Sequence, residues 1–302
     1  MQRLTGDTTL ARDTNYTEFP KEKWLDISGM SVHYLSWENN GEPIVALHGL
    51  ASSSQWYMRL ARHIQQSYKI IAPDQRGHGE TSQISTGFDW GTLSSDIISL
   101  MDSEQIDKAV IIGHSWGGHV ASNVAAKYPD RISNLILIDG GFQDGHLLPN
   151  SSWDVFRHRF APRDVSGNRQ QFLNRMKSNL SLCWDEDLQK TVLSMVYEDT
   201  NGSIHDRLRP DNHSQLLWTM WSEPPSVVLP HIQCPTLIVA AGPRPDRANS
   251  EFARMREVMV SAASNSILNC KVIWIPDTIH DIGYHKPDVL ANVIKEFLSE
   301  HH

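Results

Sequence analysis

The 302-residue sequence predicts an α/β fold, in which a doubly wound, mostly parallel sheet is flanked by helices. Short apolar runs of strand length alternate with longer segments of helical periodicity, and this order of elements is typical of such folds. Most of the runs are apolar at consecutive positions, as expected for strands that are buried on both faces. The composition, with 40% hydrophobic and 21% charged residues, is that of a globular chain.

The predicted strands are rich in Val, Ile and Leu and are bounded by Gly, Pro or Asp. In chain order they are Val32–Trp37, Ile44–Leu47, Lys69–Ala72, Ala109–Ile112, Leu135–Ile138, Thr236–Ala241 and Val272–Ile275. The helix-like segments between them repeat apolar or small residues on one face, and the last one opens with a proline. They are Ser54–Gln66, Thr92–Met101, Trp116–Tyr128 and Pro287–Leu298.

The alternating pattern stops between residues 142 and 230, where helix-like stretches rich in Trp and Phe replace the apolar runs. We interpret this segment as a helical cap that is inserted between two parts of one sheet. The predicted organisation is therefore an α/β core of residues 1–141 and 231–302 with a cap of residues 142–230. A separate helical domain is the alternative.

A strand followed by a sharp turn and a helix of small residues carries the strongest chemical signal. The turn reads Gly113-His114-Ser115-Trp116-Gly117, a G-x-S-x-G pattern in the context that gives it meaning. Glycines at both ends permit a tight bend, because they lack a Cβ that would collide with neighbouring backbone. The bend would expose the Ser115 hydroxyl above the sheet, and we predict that Ser115 is a nucleophile.

A serine hydroxyl needs a base to remove its proton, and we expect that base in a loop after a late strand. His280 ends the loop that follows the predicted strand Val272–Ile275, and it is our candidate; His285 is a weaker one. A carboxylate should hold the imidazole in the correct tautomer. We favour Asp246, just past the strand Thr236–Ala241, with Asp139 at the end of Leu135–Ile138 as the alternative.

Acyl transfer also needs two hydrogen-bond donors for the oxyanion. The backbone N–H of Trp116, next to the nucleophile, is the first candidate. The N–H of Leu50, in the loop after Ile44–Leu47, is the second. The nearby His48 ring is better interpreted as a brace for this loop than as a catalytic group.

These residues together resemble the α/β-hydrolase family along nearly the whole chain. The segments that carry the resemblance are His48-Gly49, Asp74-Gln75-Arg76-Gly77-His78-Gly79, Gly113-His114-Ser115-Trp116-Gly117-Gly118 and the late His280. The resemblance implies an eight-stranded, mostly parallel sheet with a cap after the sixth strand. It also implies the chain order nucleophile, acid, histidine. In the family the acid often lies in a short G-x-x-D turn, whereas here two prolines and an extra residue precede Asp246.

The function that follows is a serine hydrolase acting on carboxylic esters or related acyl compounds. Epoxide hydrolases and haloalkane dehalogenases of the family use an aspartate at the nucleophile position, so Ser115 argues against both. The alternatives are a cofactor-free non-hydrolytic or related enzyme on the same fold (a C–C hydrolase, perhydrolase, lyase or oxygenase) and a hydrolase-like ligand receptor.

The substrate pocket is expected between the sheet and the cap, with aromatic walls. Trp116 has a position fixed by the turn, and Trp56, Trp218 and Trp221 are further candidates, although the last two could equally belong to the core of the cap. The run Arg157-His158-Arg159 is interpreted as a solvated helix face rather than as contacts to an acidic substrate group.

The charge and the cysteine content of the chain further restrict the class of protein and its expected location. With 27 Lys and Arg against 35 Asp and Glu the net charge is −8, which argues against general nucleic-acid binding. No apolar stretch is long enough for a membrane span. Residues 1–20 lack the apolar core of a signal peptide. The three cysteines have no CxxC spacing and indicate neither a disulfide framework nor a metal motif. We therefore expect a cytoplasmic protein. We predict a small-molecule ester or acyl compound as the partner, no cofactor and no metal; the oligomeric state is not predicted.

Overall fold

The computed structural model describes residues 19–301, so the interpretation of residues 1–20 as lacking a signal peptide falls almost wholly outside it. Ten strands are present in this part of the chain, and eight of them form one sheet. In chain order they are β1 (Lys21–Ile27), β2 (Met30–Trp37), β3 (Glu42–Leu47), β4 (Tyr68–Pro73), β5 (Ala109–His114), β6 (Ile132–Ile138), β7 (Val196–Glu198), β8 (Ile204–Asp206), β9 (Thr236–Ala241) and β10 (Cys270–Ile275).

The large sheet has the spatial order β1-β2-β4-β3-β5-β6-β9-β10. All pairs from β4 to β10 are parallel, whereas β2 is antiparallel to both of its neighbours. The predicted fold class is thereby confirmed, and each predicted strand lies within an observed one. Strand β1 was not predicted, because this antiparallel edge strand is partly exposed and mixes charged with apolar residues.

Eleven α-helices are present in the described residues, and those that flank the sheet cover both of its faces. Their bounds are α1 (Met58–Ile64), α2 (Trp90–Ser103), α3 (Trp116–Lys127), α4 (Trp153–Arg159), α5 (Arg169–Asn179), α6 (Glu186–Leu193), α7 (Pro210–Ser222), α8 (Pro225–Val228), α9 (Glu251–Ser266), α10 (Ile282–His285) and α11 (Pro287–Ser299). The predicted helix Ser54–Gln66 corresponds to a 3₁₀ turn followed by α1. The other three predicted helices correspond to α2, α3 and α11. The long helix α9 was not predicted.

Two apolar clusters occupy the two faces of the sheet. Alternate residues of β3 show the division, since Val45 and Leu47 belong to one cluster and Ile44 and Ala46 to the other. Helices α2 and α3 cover the first face, and α1 and α11 cover the second. Burial of these strands on both faces explains why their sequences are apolar at consecutive positions.

Between β6 and β9 the chain forms α4 to α8 and a small antiparallel sheet of β7 and β8. This hairpin was not expected, since each of its strands has only three residues and the turn between them contains Gly202 at φ 80°. Residues of α4 and α7 join the first apolar cluster, and residues of α5 and α6 join the second. That residues 142–230 act as a cap stays a prediction.

Within residues 19–301, none of the helices combines the length and the apolar character that crossing a bilayer demands.

Candidate active site

Ser115 lies in the turn between β5 and α3 and has a positive φ of 53°, which is rare for a residue with a side chain. The turn is possible because glycines line it. A Cβ at Gly113 or at Gly117 would lie well under 3.0 Å from neighbouring backbone, and a Cβ at Gly140 would meet the backbone of Ser115 itself. The local sequence therefore folds into the strained elbow that the pattern predicted.

The structure joins three side chains in one hydrogen-bonded chain. His280 Nε2 lies 2.9 Å from Ser115 Oγ, and His280 Nδ1 lies 2.6 Å from Asp139 Oδ2. Ser115 and Asp139 directly follow the last residues of the neighbouring parallel strands β5 and β6, so the sheet holds these two residues side by side. His280 comes from the loop after β10. The three side chains thus have the geometry that general-base catalysis by a serine requires.

Asp139 is fully buried, and every partner it has favours the ionised carboxylate. Its Oδ1 accepts hydrogen bonds from the Ala241 backbone N–H, at 2.8 Å, and from the Arg256 guanidinium. Burial alone would raise the pKa of Asp139. The hydrogen bond from His280 and the positive charges of His280 and Arg256 outweigh it and hold that pKa below its usual value.

Asp246, the favoured acid of the sequence analysis, is wrong as the partner of His280. It lies in the short 3₁₀ turn Pro245–Arg247, with 58% of its side chain exposed. Its carboxylate faces Arg244, at 3.5 Å, and Arg247, at 3.9 Å. Residues 242–244 separate this turn from the end of β9, and Asp246 lies in a solvent-exposed part of the loop.

His280 keeps one accessible edge, with 46% of its side chain exposed, while the other edge faces buried groups. Desolvation by the surrounding protein lowers its pKa, but the hydrogen bond and the negative charge of Asp139 more than compensate and raise the pKa above the ordinary histidine value. His114 packs beside it with ring centroids 4.8 Å apart. Burial lowers the pKa of His114 to about 4, so this neighbour is neutral near pH 7.

The loop after β3, which carries Leu50, is braced by two buried histidines. His48 Nε2 accepts a hydrogen bond from the Gln75 N–H, and His78 Nε2 accepts one from the Ala51 N–H, both at 3.1 Å. Burial lowers the pKa of His78 to about 3 and also lowers that of His48, so both rings are neutral. Each ring can then donate its Nδ1 proton to a backbone carbonyl. This agrees with the structural role expected for His48.

The two expected oxyanion donors belong to residues that line the same cavity as Ser115. Trp116 is the first residue of α3, where backbone N–H groups have no partner within the helix. Leu50 follows Gly49, whose Cβ position would be only 3.1 Å from Ser115 Cβ. Both residues are therefore placed where their N–H groups could stabilise a charge developing next to Ser115 Oγ.

The cavity at Ser115 has a volume of about 400 Å³ and mostly apolar walls. Trp116 contributes to them as expected, and three methionines, Met220, Met255 and Met259, add a deformable surface. Arg159 also lines the cavity, although its neighbour Arg157 pairs with Asp154 as part of the expected solvated face. The full lining is Leu50, Ser115, Trp116, His119, Gln143, Leu148, Arg159, Phe160, Met220, Phe252, Met255, Arg256, Met259 and His280.

Helix α9, which the sequence analysis missed, supplies four of these wall residues. Phe252, Met255, Arg256 and Met259 follow one another at positions i, i+3, i+4 and i+7, so they share one face of the helix. This spacing, together with Ser250 as an N-cap that accepts from the Ala253 N–H, is a signal from which the helix could have been predicted.

The other three tryptophans that were expected to form the pocket do not line it. Trp56 is buried behind the site, where its ring stacks on His114 at 4.1 Å and its Nε1 donates to Asp281. Trp218 is 53% exposed and packs edge-on against Trp153, and Trp221 packs against Phe156. Trp56 thus supports His114 and the loop of His280, while the other two belong to the aromatic core of residues 142–230.

Within residues 19–301, no cluster of three or more His, Cys, Asp or Glu is arranged to hold a metal ion.

The pH dependence of kcat/KM should report the ionisation of His280. Only neutral His280 can accept the Ser115 proton, so activity should fall as the pH drops through a pKa above the ordinary histidine value. The charged groups around this ring are Asp139, Asp281 and Arg256, and only Arg256 lowers its pKa. Arg256→Gln should therefore shift the acidic limb to higher pH, measured on a neutral ester. A limb that stays in place would contradict this assignment of charges.

The comparison with known families gives the class of protein. A family model described as the alpha/beta hydrolase fold matches residues 42–222. This match spans more than half of the chain and includes the elbow at Ser115. The chain therefore belongs to the α/β-hydrolase family.

The relatives carry the names of different enzyme activities. The soluble epoxide hydrolase of Corynebacterium sp. (strain C12) is 34% identical over 113 residues, which are 37% of this chain and 39% of that protein. Esterase YbfF of Escherichia coli (strain K12) is 24% identical over 274 residues, covering 87% of this chain and 95% of that protein. Three of the curated relatives are matched over only 39%, 44% and 54% of their own length.

Among solved structures, an E-2-(acetamidomethylene)succinate hydrolase superposes with a TM-score of 0.77 at 19% sequence identity. The match covers 93% of this chain and 99% of that one. At this identity the likeness supports the fold alone.

Proposed function

We propose that the protein is a serine hydrolase that cleaves carboxylic esters or related acyl compounds of small-molecule size through an acyl-enzyme. Ser115 Oγ attacks the carbonyl carbon while His280 Nε2 takes the Ser115 proton. The C–O bond to Ser115 forms as the carbonyl becomes a tetrahedral oxyanion, which accepts hydrogen bonds from the N–H groups of Leu50 and Trp116. Asp139 holds the Nδ1 proton of His280 and stabilises the imidazolium.

The second half of the reaction reuses the same groups. His280 gives its proton to the leaving oxygen as the bond between that oxygen and the acyl carbon breaks. A water molecule then attacks the acyl carbon and transfers a proton to His280. His280 returns this proton to Ser115 Oγ as the bond between Oγ and the acyl carbon breaks. The carboxylic acid leaves, and the site is restored without any cofactor.

The observation that carries this proposal is the hydrogen-bonded chain from Ser115 through His280 to Asp139. Three of the curated relatives are named as epoxide hydrolases. The residue at the elbow here is a serine, whereas epoxide hydrolases of the family carry an aspartate there. Ester hydrolysis by way of a serine acyl-enzyme therefore fits this site better than epoxide opening does.

A fluorophosphonate probe tests the nucleophile. We expect stoichiometric loss of activity on p-nitrophenyl esters, and mass spectrometry of the digested protein should place the label on Ser115. The strained elbow and the paired His280 make this hydroxyl more reactive than the other serines of the chain.

The same experiment separates the alternatives. Labelling of Ser115 without turnover on a broad panel of esters, thioesters and lactones would favour a lyase, an oxygenase or a ligand receptor. Labelling at another serine, or none at all, would contradict the proposed mechanism.

A further inference from the structure

Two cavities meet at His280. The first, described above, contains Ser115 in its wall. The second has a volume of about 750 Å³ and does not contain Ser115, but the two share Phe252, Arg256 and His280. Phe252, at the start of α9, lies on the boundary between them.

The chemistry of acyl transfer assigns the two cavities to the two parts of a substrate. The acyl carbonyl must lie at Ser115 Oγ and the oxyanion donors, so the acyl group occupies the first cavity. The leaving oxygen or sulfur must lie near His280 Nε2, because that atom returns the proton. The second cavity opens from His280 and is therefore the leaving-group side.

The walls of the second cavity are more polar than those of the first, and their charges are all positive. They include the cations Arg244, Arg247 and Arg256, together with hydroxyl and amide side chains from the end of α5, from Ser250 and from Thr278. No Asp or Glu lines either cavity among the residues described, although the whole chain has a net charge of −8. The basic character is thus local to the site.

The acidic partners of these arginines leave part of the positive charge uncompensated. Arg256 is committed to buried Asp139. Arg244 and Arg247 both face the single carboxylate of Asp246, at 3.5 and 3.9 Å, so one negative charge offsets two positive ones. Both side chains are solvent-accessible, at 41% and 76%, and can turn towards a ligand. A guanidinium binds carboxylate or phosphate with two parallel hydrogen bonds.

We propose that the second cavity is a leaving-group subsite for an alcohol or thiol that carries an anionic group, held by Arg244 and Arg247. This inference rests on the proposed hydrolase function and adds the substrate class to it. The enzyme would prefer an ester whose leaving group ends in a carboxylate or a phosphate over a neutral ester with the same acyl group.

A matched series of butanoate esters tests the subsite. The leaving alcohols have three or six carbons and end in a hydroxyl, a carboxylate or a phosphate. We expect kcat/KM to be about tenfold higher for at least one anionic ester than for its neutral counterpart, and this ratio to fall with added salt. Comparison of kcat/KM between the carboxylate and the phosphate esters shows which anion the arginines prefer.

Two variants decide whether the arginines cause the preference. In the double variant Arg244→Gln/Arg247→Gln the ratio should fall to near one, mainly through loss of activity on the anionic esters. Arg254→Gln removes the same charge from an exposed position on α9 that lines neither cavity, and should keep the ratio.

The outcomes separate this inference from the proposed function. Turnover of the neutral esters without any anionic preference, or a preference that survives in the double variant, would overturn the subsite and leave the hydrolase in place. Failure of every ester, together with an unlabelled Ser115, would overturn the hydrolase and the subsite with it.

Discussion

Ser115→Ala should lower the turnover of a carboxylic ester by about four to six orders of magnitude, because the proposed mechanism forms the acyl-enzyme on Ser115. The remaining activity should come from the oxyanion donors and the cavity alone. KM should change little, since the substitution removes one oxygen atom and leaves the walls of the cavity intact. The measurement is kcat and KM on an activated ester, with burst kinetics to follow the acyl-enzyme in the unchanged protein.

The fold should survive this change, which makes the result interpretable. Alanine keeps the Cβ of Ser115, so the elbow with φ 53° carries the same backbone strain as before. We expect the Tm to stay within a few degrees of the parent value. A folded Ser115→Ala protein with nearly unchanged turnover would remove Ser115 from the mechanism.

The sequence predicted those parts of the site that depend on local structure. The elbow is local, because a buried strand, glycines on either side of the serine and a helix of small residues determine it within a single βα unit. The His48 brace and the Trp116 position follow from the same kind of local pattern. The strands were found because burial on both faces leaves a clear apolar signal.

The acid could not be chosen from the sequence, because the choice depends on which strands are neighbours. Asp139 and Asp246 both follow predicted strands. In the sheet β6 lies between β5 and β9, so Asp139, which follows β6, lies next to Ser115, which follows β5. The backbone N–H of Asp139 donates a hydrogen bond to the carbonyl oxygen of Val239 in β9. The chain after β9 instead needs several residues to reach Asp246. Strand order and loop direction are features of the tertiary structure, and they cannot be inferred from the local pattern of a single sequence.

The pocket was misjudged for a related reason. Tryptophans were expected in the wall because aromatic residues commonly line pockets, yet Trp218 and Trp221 pack among residues 142–230 and Trp56 supports His114. Trp116 lines the cavity as expected, but much of the remaining wall is formed by methionines and by a face of α9. Since large aromatic residues serve packing as readily as binding, composition alone does not separate the two uses.

Asp139→Asn should reduce kcat by about 10³- to 10⁴-fold, and Asp246→Asn should change it by less than about twofold on a neutral ester. The Ala241 N–H and Arg256 both donate to Oδ1 of Asp139, so the carbonyl oxygen of an asparagine would take the Oδ1 position, where it can accept the same two hydrogen bonds. Its NH₂ group would then face His280 Nδ1 as a donor. The proton of the imidazole would move to Nε2, where it blocks acceptance of the Ser115 proton.

Comparison of the two variants separates orientation of the histidine from general loss of charge, since each removes one carboxylate. Asp139→Asn should also lower the pKa of His280 relative to the parent protein, because the hydrogen bond and the charge of Asp139 are the two largest causes that raise it. Titration of the His280 imidazole by NMR in the two variants measures this directly. If Asp246→Asn were the inactive variant and Asp139→Asn retained full kcat, the carboxylate that serves His280 in solution would be Asp246, and the arrangement of Ser115, His280 and Asp139 would not be the working site.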